Sequence, residues 1–182
     1  MELIVLAFST VFLAEIGDKS QLVTLFMSAR RSAIHVYLGS ITALMLNIGG
    51  VVLFGTLIRN LVPDHIITVI SGLLFITIGV IGYLNKDLEL EEKSQSYSTF
   101  FTVFVLVFFA EMGDKTQLTV LTLATVTGAP VLVFFGALLA QMVNTGLVAF
   151  LGARYVSRIS RPRLQLISSL VFIIIGAIIL VF

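Results

Sequence analysis

The chain has 182 residues, of which 58% are hydrophobic and only 12% carry a charge. Soluble proteins have roughly 25% charged residues, so this composition excludes a soluble domain and indicates an integral membrane protein. The chain has no cysteine, which excludes disulfide bonds and thiolate chemistry. Its net charge of +1 gives no electrostatic reason to expect nucleic acid binding.

Six apolar runs follow one another along the chain, and a transmembrane helix needs about 20 apolar residues. The runs cover 3–27, 36–59, 66–84, 99–126, 130–153 and 164–182. We therefore predict an all-α integral membrane protein with six transmembrane helices. Its predicted parts are a first three-helix repeat at 1–85, a polar cytoplasmic connection at 86–98 and a second three-helix repeat at 99–182.

The positive charges predict how the chain is oriented in the membrane. Eight of the eleven Lys and Arg residues lie in the first, third and fifth connections, whereas the second and fourth connections together hold Arg59 alone. By the positive-inside rule the odd connections are cytoplasmic and both termini face the other side. The start of the chain, Met1-Glu2-Leu3, has no basic segment, so we expect no signal peptide.

An eight-residue motif occurs twice, at 15–22 and 111–118, with six identical positions and two conservative differences. The similarity extends beyond the motif, since Gly39 and Asn47 match Gly136 and Asn144. Each repeat has three spans, an odd number, so the second repeat crosses the membrane in the opposite sense. Inverted repeats of this kind recur in secondary transporters that bind substrate near the membrane midplane.

The two motifs place charged residues near the centres of the first and fourth spans. A central Asp or charged Lys costs roughly 2.5–3.5 kcal/mol on insertion scales, so these groups must face one another or water. If all are ionised, four carboxylates and two lysines sum to −2, which a divalent cation would neutralise. The residues are Glu15, Asp18, Lys19, Glu111, Asp114 and Lys115.

On a regular helix Glu15, Asp18 and Lys19 share one face. Gly17 falls on the opposite side, where it would allow another helix to approach closely or the backbone to unwind. Ser20 also points away from Glu15, and it could join the site only if the helix is locally broken or if it bonds a neighbouring turn.

The ligand chemistry favours a hard divalent cation. Carboxylate, amide and hydroxyl oxygens suit Ca²⁺, Mg²⁺ or Mn²⁺. Zinc and copper normally recruit sulfur or imidazole, yet His35 and His65 lie near span ends. Further oxygens could come from Gln21, Gln117, Asn47 and Asn144, although interhelical hydrogen bonding is an equal alternative for the two asparagines.

Buried carboxylates also attract protons, so a cation and protons would compete for the same oxygens. This competition favours a cation/proton antiporter that works by alternating access at the repeat interface. For Lys19 and Lys115, charge compensation and a proton-linked role are equally compatible with the sequence. No cofactor is expected, because the cation is the substrate.

The doubled motif, Glu15–Ser20 and Glu111–Thr116, resembles the signature of a family of manganese and calcium transporters. That family includes bacterial MneA-type manganese exporters and Golgi proteins that supply manganese to glycosylation enzymes. The resemblance covers the whole chain. It implies exchange of Mn²⁺ or Ca²⁺ for protons, with the motif acids as ligands and hydroxyls at Ser20 and Thr116. The short N-terminus has no targeting extension, so we expect a prokaryotic plasma-membrane member of the family. The sequence is compatible with a homo-oligomer and leaves the oligomeric state open.

Two other classes of function fit the sequence less well, and a transporter for an organic cation or an amino acid is the remaining alternative. A cation channel could use a ring of carboxylates, but the inverted repeat favours a transporter. Intramembrane aspartyl proteases resemble Gly-x-Gly-Asp on one helix and Tyr-Asp on another, whereas both motifs here begin with Glu and the chain has no Tyr-Asp. We therefore predict that the protein is not an enzyme.

Overall fold

The structure is a computed structural model that describes residues 1–61, 64–84, 95–156 and 160–181. These residues form eight helices and no strand. The helices are α1 (Glu2–Ala14), α2 (Lys19–Arg30), α3 (Ala33–Leu61), α4 (Asp64–Leu84), α5 (Gln95–Glu111), α6 (Lys115–Thr127), α7 (Pro130–Tyr155) and α8 (Arg161–Val181). Most of the predicted connection at 86–98 lies outside the described residues.

The helix ends follow from local chemistry. Gly128 ends α6 in the left-handed conformation, with φ of 62°, and Pro130 occupies the first turn of α7. Both are favoured there, because glycine adopts positive φ at little cost and proline lacks only an N–H that the first turn does not use. Arg31 ends α2 by adopting an extended conformation.

The two predicted motif spans are interrupted rather than continuous. The first divides into α1 and α2, and the second divides into α5 and α6, with each break inside the motif. Glu15 and Asp18 still lie close together, as expected. The placement of Lys19 beside Glu15 is wrong, because the backbone changes direction at the break and Lys19 pairs with Asp114.

Each repeat packs its second helix against the motif helix of the other repeat. Helix α3 lies along α5, and α7 lies along α1. A Cβ atom at Gly39 would come within 2.6 Å of the carbonyl oxygen of Phe100, and one at Gly136 within 2.6 Å of that of Ile4. These matching glycines let the backbones approach closely, as small residues do between membrane helices.

Two apolar clusters surround the motif breaks. One contains buried residues of α2, α3, α4, α5 and α8, including Ala110, and the other contains residues of α1, α3, α6 and α7, including Val11. Helices α4 and α8 pair through glycines and lie against the first cluster. Ala110 of the first cluster precedes Glu111, and Val11 of the second cluster lies one turn before Glu15, so each break has one cluster beside it.

The outer surface is apolar, as expected for contact with lipid. Large hydrophobic side chains such as Leu13, Leu53 and Phe101 are more than half exposed, and a water-facing surface would rarely expose so many. Two described stretches, Ala33–Phe54 and Pro130–Tyr155, are long and apolar enough to cross a membrane by length and composition. The shorter apolar helices are Glu2–Ala14, Val69–Ile81, Ser98–Glu111, Thr116–Thr127 and Leu166–Val181.

Candidate cation site

The two motif breaks have the same backbone geometry. Gly17 and Gly113 have φ of +82° and +76°, values that glycine adopts readily. Nothing lies within 4 Å of where a Cβ of either would stand. Of the two roles predicted for Gly17, the structure shows unwinding of the backbone and not close approach of another helix.

The glutamine of each motif accepts a hydrogen bond from the backbone at the break in its own motif. The backbone N–H of Gly17 donates to Oε1 of Gln21 over 3.0 Å, and the N–H of Gly113 donates to Oε1 of Gln117 over 3.0 Å. A break in a helix releases backbone donors that must be satisfied in a low-dielectric setting. The glutamine oxygens predicted as cation ligands therefore already accept hydrogen bonds from the backbone.

The acids of each motif meet the hydroxyl of the other motif. Thr116 donates a hydrogen bond to Oε1 of Glu15, and both residues are almost fully buried. Ser20, also buried, hydrogen-bonds the carboxyl group of Glu111. The break in each helix turns these hydroxyls toward the site. This agrees with the expectation that Ser20 could take part only if its helix were broken.

Three carboxylates converge between the two repeats. One oxygen from each of Glu15, Asp18 and Glu111 lies within 4.8 Å of the other two. A calcium-sized ion binds oxygens at 2.3–2.6 Å, so one ion can bridge oxygens up to about 5 Å apart. The spacing therefore suits a single hard cation held by both motifs.

Several carboxylate oxygens in this region lack a hydrogen-bond donor. Oε2 of Glu15, Oε1 of Glu111 and Oδ2 of Asp114 are buried and accept no hydrogen bond from the described residues. Buried carboxylate oxygens normally have a partner, because an unsatisfied one is costly. These oxygens lie at or beside the carboxylate cluster, so their lone pairs can bind a cation or a water molecule.

The fourth acid is held by a lysine of the other motif. Nζ of Lys19 lies 3.1 Å from Oδ1 of Asp114, and their side chains are 26% and 16% exposed. This ion pair crosses the repeat interface. It places a positive charge beside Asp114, which is not one of the three acids that converge. The side chain of Lys115 lies outside the described residues, so its role stays a prediction.

The two predicted asparagines form hydrogen bonds with the helices that precede the breaks. Nδ2 of Asn47 donates to the carbonyl oxygen of Phe108 over 3.1 Å, and Nδ2 of Asn144 donates to that of Phe12 over 3.0 Å. Oδ1 of Asn47 also accepts from Nε2 of Gln117. Of the two roles left open by the sequence, the structure shows interhelical hydrogen bonds for both asparagines.

One residue at the site was missed by the sequence reasoning. Gln141 on α7 is 2% exposed, and its carboxamide interacts with the carboxyl group of Glu15. The available signal was a polar residue inside an apolar span, three residues before Asn144, and such residues are often functional in membrane proteins. It was overlooked because the second helix of the first repeat has no matching polar residue.

Comparisons with known proteins agree with this chemistry. Residues 3–89 and 99–182 match a family model described as "Divalent cation/proton antiporter GDT1". A Vibrio cholerae protein named "Putative manganese exporter" is 29% identical over 119 residues, which are 65% of this chain and 60% of that protein. The protein named "GDT1-like protein 3" of Arabidopsis thaliana is 27% identical over 199 residues, covering 92% of this chain and 66% of its own length. The match thus spans less than two thirds of either relative, and no solved structure matches the chain.

Proposed function

We propose, from the premise that this chain belongs to the GDT1 family of divalent cation/proton antiporters, that it exchanges Mn²⁺ for protons, with Ca²⁺ as a second cation substrate. The family is one of membrane transporters and not of enzymes, so the protease alternative is excluded. A similar protein carries the name of a manganese exporter, and hard oxygen ligands suit Mn²⁺ as well as Ca²⁺.

The observation that carries this proposal is the meeting of Glu15, Asp18 and Glu111 between the two repeats. In the proposal these carboxylates bind the cation, and the hydroxyls of Ser20 and Thr116 orient them or add ligands. The remaining motif residues have supporting roles: Asp114 is paired with Lys19, while Gln21 and Gln117 brace the breaks that bring the acids together.

Proton exchange follows from the same carboxylates. Cation binding requires ionised carboxylates, so a bound cation displaces protons and protonation displaces the cation. A transporter that moves between its two faces only when loaded with one or the other couples the two flows. The binding site needs no cofactor, since Mn²⁺ is the substrate itself.

We place the chain in the plasma membrane with six spans. The α1–α2 and α5–α6 pairs each form one broken span, and the remaining four helices each form one continuous span. Both termini lie on the non-cytoplasmic side, as the positive charges of the odd connections predict. Broken helices whose ends point at an ion near the midplane are a recurrent design of secondary transporters.

The test is transport by the purified full-length chain in liposomes that contain a Mn²⁺ indicator and a pH indicator. We expect an imposed pH gradient to drive Mn²⁺ uptake, with proton movement in the opposite direction. Substitution Glu15→Gln or Glu111→Gln should lower Mn²⁺ flux by more than about 100-fold, because even outer partners of a metal site contribute 10–100-fold. Glu2→Gln is the matched control, since Glu2 is an exposed acid outside the motifs.

Two results would contradict the proposal. Full Mn²⁺ flux in Glu15→Gln would remove the carboxylate cluster as the binding site. Mn²⁺ flux that is neither coupled to protons nor accelerated by Mn²⁺ on the opposite side would identify a channel and exclude alternating access. Competition of Ca²⁺ against Mn²⁺ in the same liposomes ranks the two cations.

A further inference from the structure

Gln141 is a buried amide on α7, and Asn144 and Thr145 are also buried three and four residues further on. Its side chain is 2% exposed and lies near the carboxyl group of Glu15. This stretch of α7 runs along the motif helix α1, because Gly136 packs against Ile4 and Asn144 donates to the carbonyl oxygen of Phe12. Yet Nε2 of Gln141 and Oε2 of Glu15 both lack a hydrogen bond within the described residues. A buried donor and a buried acceptor, each without a partner, therefore stand on neighbouring side chains.

This feature makes the two halves of the site chemically different. The offset of 97 positions that matches Gly39 with Gly136 and Asn47 with Asn144 matches Gln141 with Leu44. Leu44 is also 2% exposed, and it packs in the apolar cluster that contains Ala110, the neighbour of Glu111. One motif glutamate thus has an amide on the facing helix where the other has a leucine.

We propose that Gln141 is a positioning residue, whose amide N–H orients the Glu15 carboxylate for cation binding and thereby raises cation affinity. This inference rests on the proposed function of the carboxylate cluster. Thr116 already holds Oε1 of Glu15, so an amide at Oε2 would fix the plane of the carboxylate from its other side. Each carboxylate oxygen has two lone pairs, so both donors leave a lone pair for the cation.

A structural role for Gln141 makes a different prediction. If the amide served helix packing alone, its removal would lower the stability of the metal-free protein and leave Mn²⁺ affinity unchanged. If it positions Glu15, its removal weakens Mn²⁺ binding. Metal-free stability should then be unchanged or higher, because replacing a buried unsatisfied amide with an apolar group of similar size removes a desolvation penalty.

The experiment measures Mn²⁺ binding to the purified full-length chain by the loss of the free Mn²⁺ signal in electron paramagnetic resonance, and thermal unfolding without metal by circular dichroism. Gln141→Met keeps the length of the side chain and removes the donor. We expect it to raise the Kd for Mn²⁺ about tenfold, the usual effect of losing a hydrogen bond to a charged group. Leu44→Met, at the matching position, should leave the Kd unchanged.

Combining variants tests whether Gln141 acts through Glu15. With Thr116→Val, which frees the same carboxylate, Gln141→Met should have a non-additive effect on the Kd. With Ser20→Ala, which affects Glu111, the two effects should multiply. The inference would be overturned if the effects of Gln141→Met on the Kd were equally non-additive with Thr116→Val and with Ser20→Ala. It would also be overturned if Gln141→Met had the same Kd for Mn²⁺ as the unmodified protein.

The same measurements separate this inference from the proposed function. If Glu15→Gln binds Mn²⁺ as tightly as the unmodified protein, the carboxylate site is wrong and the role of Gln141 is wrong with it. If Glu15→Gln loses Mn²⁺ binding while Gln141→Met keeps it, the proposed function stands and only the positioning role is wrong.

Discussion

Thr116 of the second motif donates a hydrogen bond to Glu15 of the first motif. The reciprocal contact, between Ser20 and Glu111, joins the motifs in the opposite direction, and the Lys19–Asp114 ion pair is a third link. Every one of these contacts crosses from one repeat to the other. Neither repeat can therefore build the site alone, and a movement between the repeats would change all three contacts together.

The first prediction concerns the Thr116 hydroxyl. Thr116→Val keeps the shape of the side chain and removes its donor, so the Glu15 carboxylate loses one hydrogen bond. We expect an increase of about tenfold in the KM for Mn²⁺ uptake into liposomes, as for other hydrogen bonds to charged groups. Thr116→Ser, which retains the hydroxyl, should transport nearly as well as the unmodified protein.

Thr125→Val is the control for this substitution. Thr125 lies on the same helix, but it is exposed and its hydroxyl bonds the carbonyl oxygen of Leu121 in its own helix. A comparable increase in KM for Thr125→Val would mean that any threonine loss in α6 impairs the protein. The contact with Glu15 would then not explain the effect.

Much of the site could be predicted from charge and repetition alone. Acids at the centre of apolar runs are too costly to face lipid, so Glu15 and Glu111 had to turn inward, and both are buried in the structure. The repeat also indicated that their surroundings would match. The burial of a charged residue can be predicted from its free-energy cost alone, because this prediction does not require the positions of neighbouring atoms.

The partners of these residues could not be predicted, because they depend on the path of the backbone. Spacing on a regular helix placed Lys19 beside Glu15, whereas the break at Gly17 lets it pair with Asp114. A glycine permits positive φ but does not require it. The conformation is selected by packing against the other repeat, which a local sequence window does not contain.

The sequence repeat also predicts that matching residues make the same contacts in both halves, and the structure departs from this prediction. Ser71 on α4 matches Ser168 on α8 at the same offset of 97 positions. Ser71 donates to the carbonyl oxygen of Phe109 on α5, whereas Ser168 donates to the carbonyl oxygen of Leu164 in its own helix. Among the residues whose side chains the structure describes, those of α4 and α8 belong to the first apolar cluster and not to the second, so matching residues meet different neighbours. Matched sequences therefore do not guarantee matched contacts.

The second prediction concerns the ion pair between Lys19 and Asp114. Lys19→Met removes the cation that pairs with Asp114 and leaves the negative charge of Asp114 behind, so it should lower the free energy of unfolding. The loss should be smaller than the roughly 3–5 kcal/mol for a fully buried pair, because both side chains are partly exposed. Thermal unfolding in detergent measures it.

The double variant Lys19→Met with Asp114→Leu checks the cause. Removing both charges leaves no uncompensated ion, so it should be more stable than Lys19→Met alone and the two effects should not add. Purely additive losses would indicate that the two side chains contribute independently, and that the contact across the repeats is not what stabilises them.

The third prediction concerns the close approach of α3 and α5. A Cβ at Gly39 would stand 2.6 Å from a backbone oxygen of Phe100, which cannot move aside as a flexible side chain can. Gly39→Ala should therefore separate the helices and cost about 1–3 kcal/mol, the usual range for overpacking. The yield of monodisperse protein and its unfolding temperature should both fall.

Gly49→Ala on the same helix is the control, because its Cβ would meet the Phe134 ring at an ordinary 3.5 Å. It should be neutral or slightly stabilising, since alanine favours helix over glycine. If Gly49→Ala lowers the unfolding temperature as much as Gly39→Ala does, then helix α3 tolerates no added methyl group. The close contact with Phe100 would not be the cause.

The last prediction concerns the backbone break at Gly17. Gly17→Ala forces an L-residue into the left-handed region at a cost of roughly 1–2 kcal/mol, although no neighbour lies within 4 Å. If α1 and α2 joined into one continuous helix to relieve this strain, Ser20 would turn away from Glu111. The affinity for Mn²⁺ should therefore fall together with the stability of the protein. Gly17→Asn should be milder, because asparagine tolerates this conformation better.

Gly128→Ala separates the effect on the site from the effect on the backbone. Gly128 also has positive φ and open space around its Cβ position, but it lies in the turn between α6 and α7. The same strain should therefore lower its unfolding temperature by a similar amount while Mn²⁺ affinity, measured as the Kd, stays unchanged. If both alanine variants weaken Mn²⁺ binding equally, general destabilisation explains the loss. If only Gly17→Ala weakens it, the break itself holds the carboxylates in place for the cation.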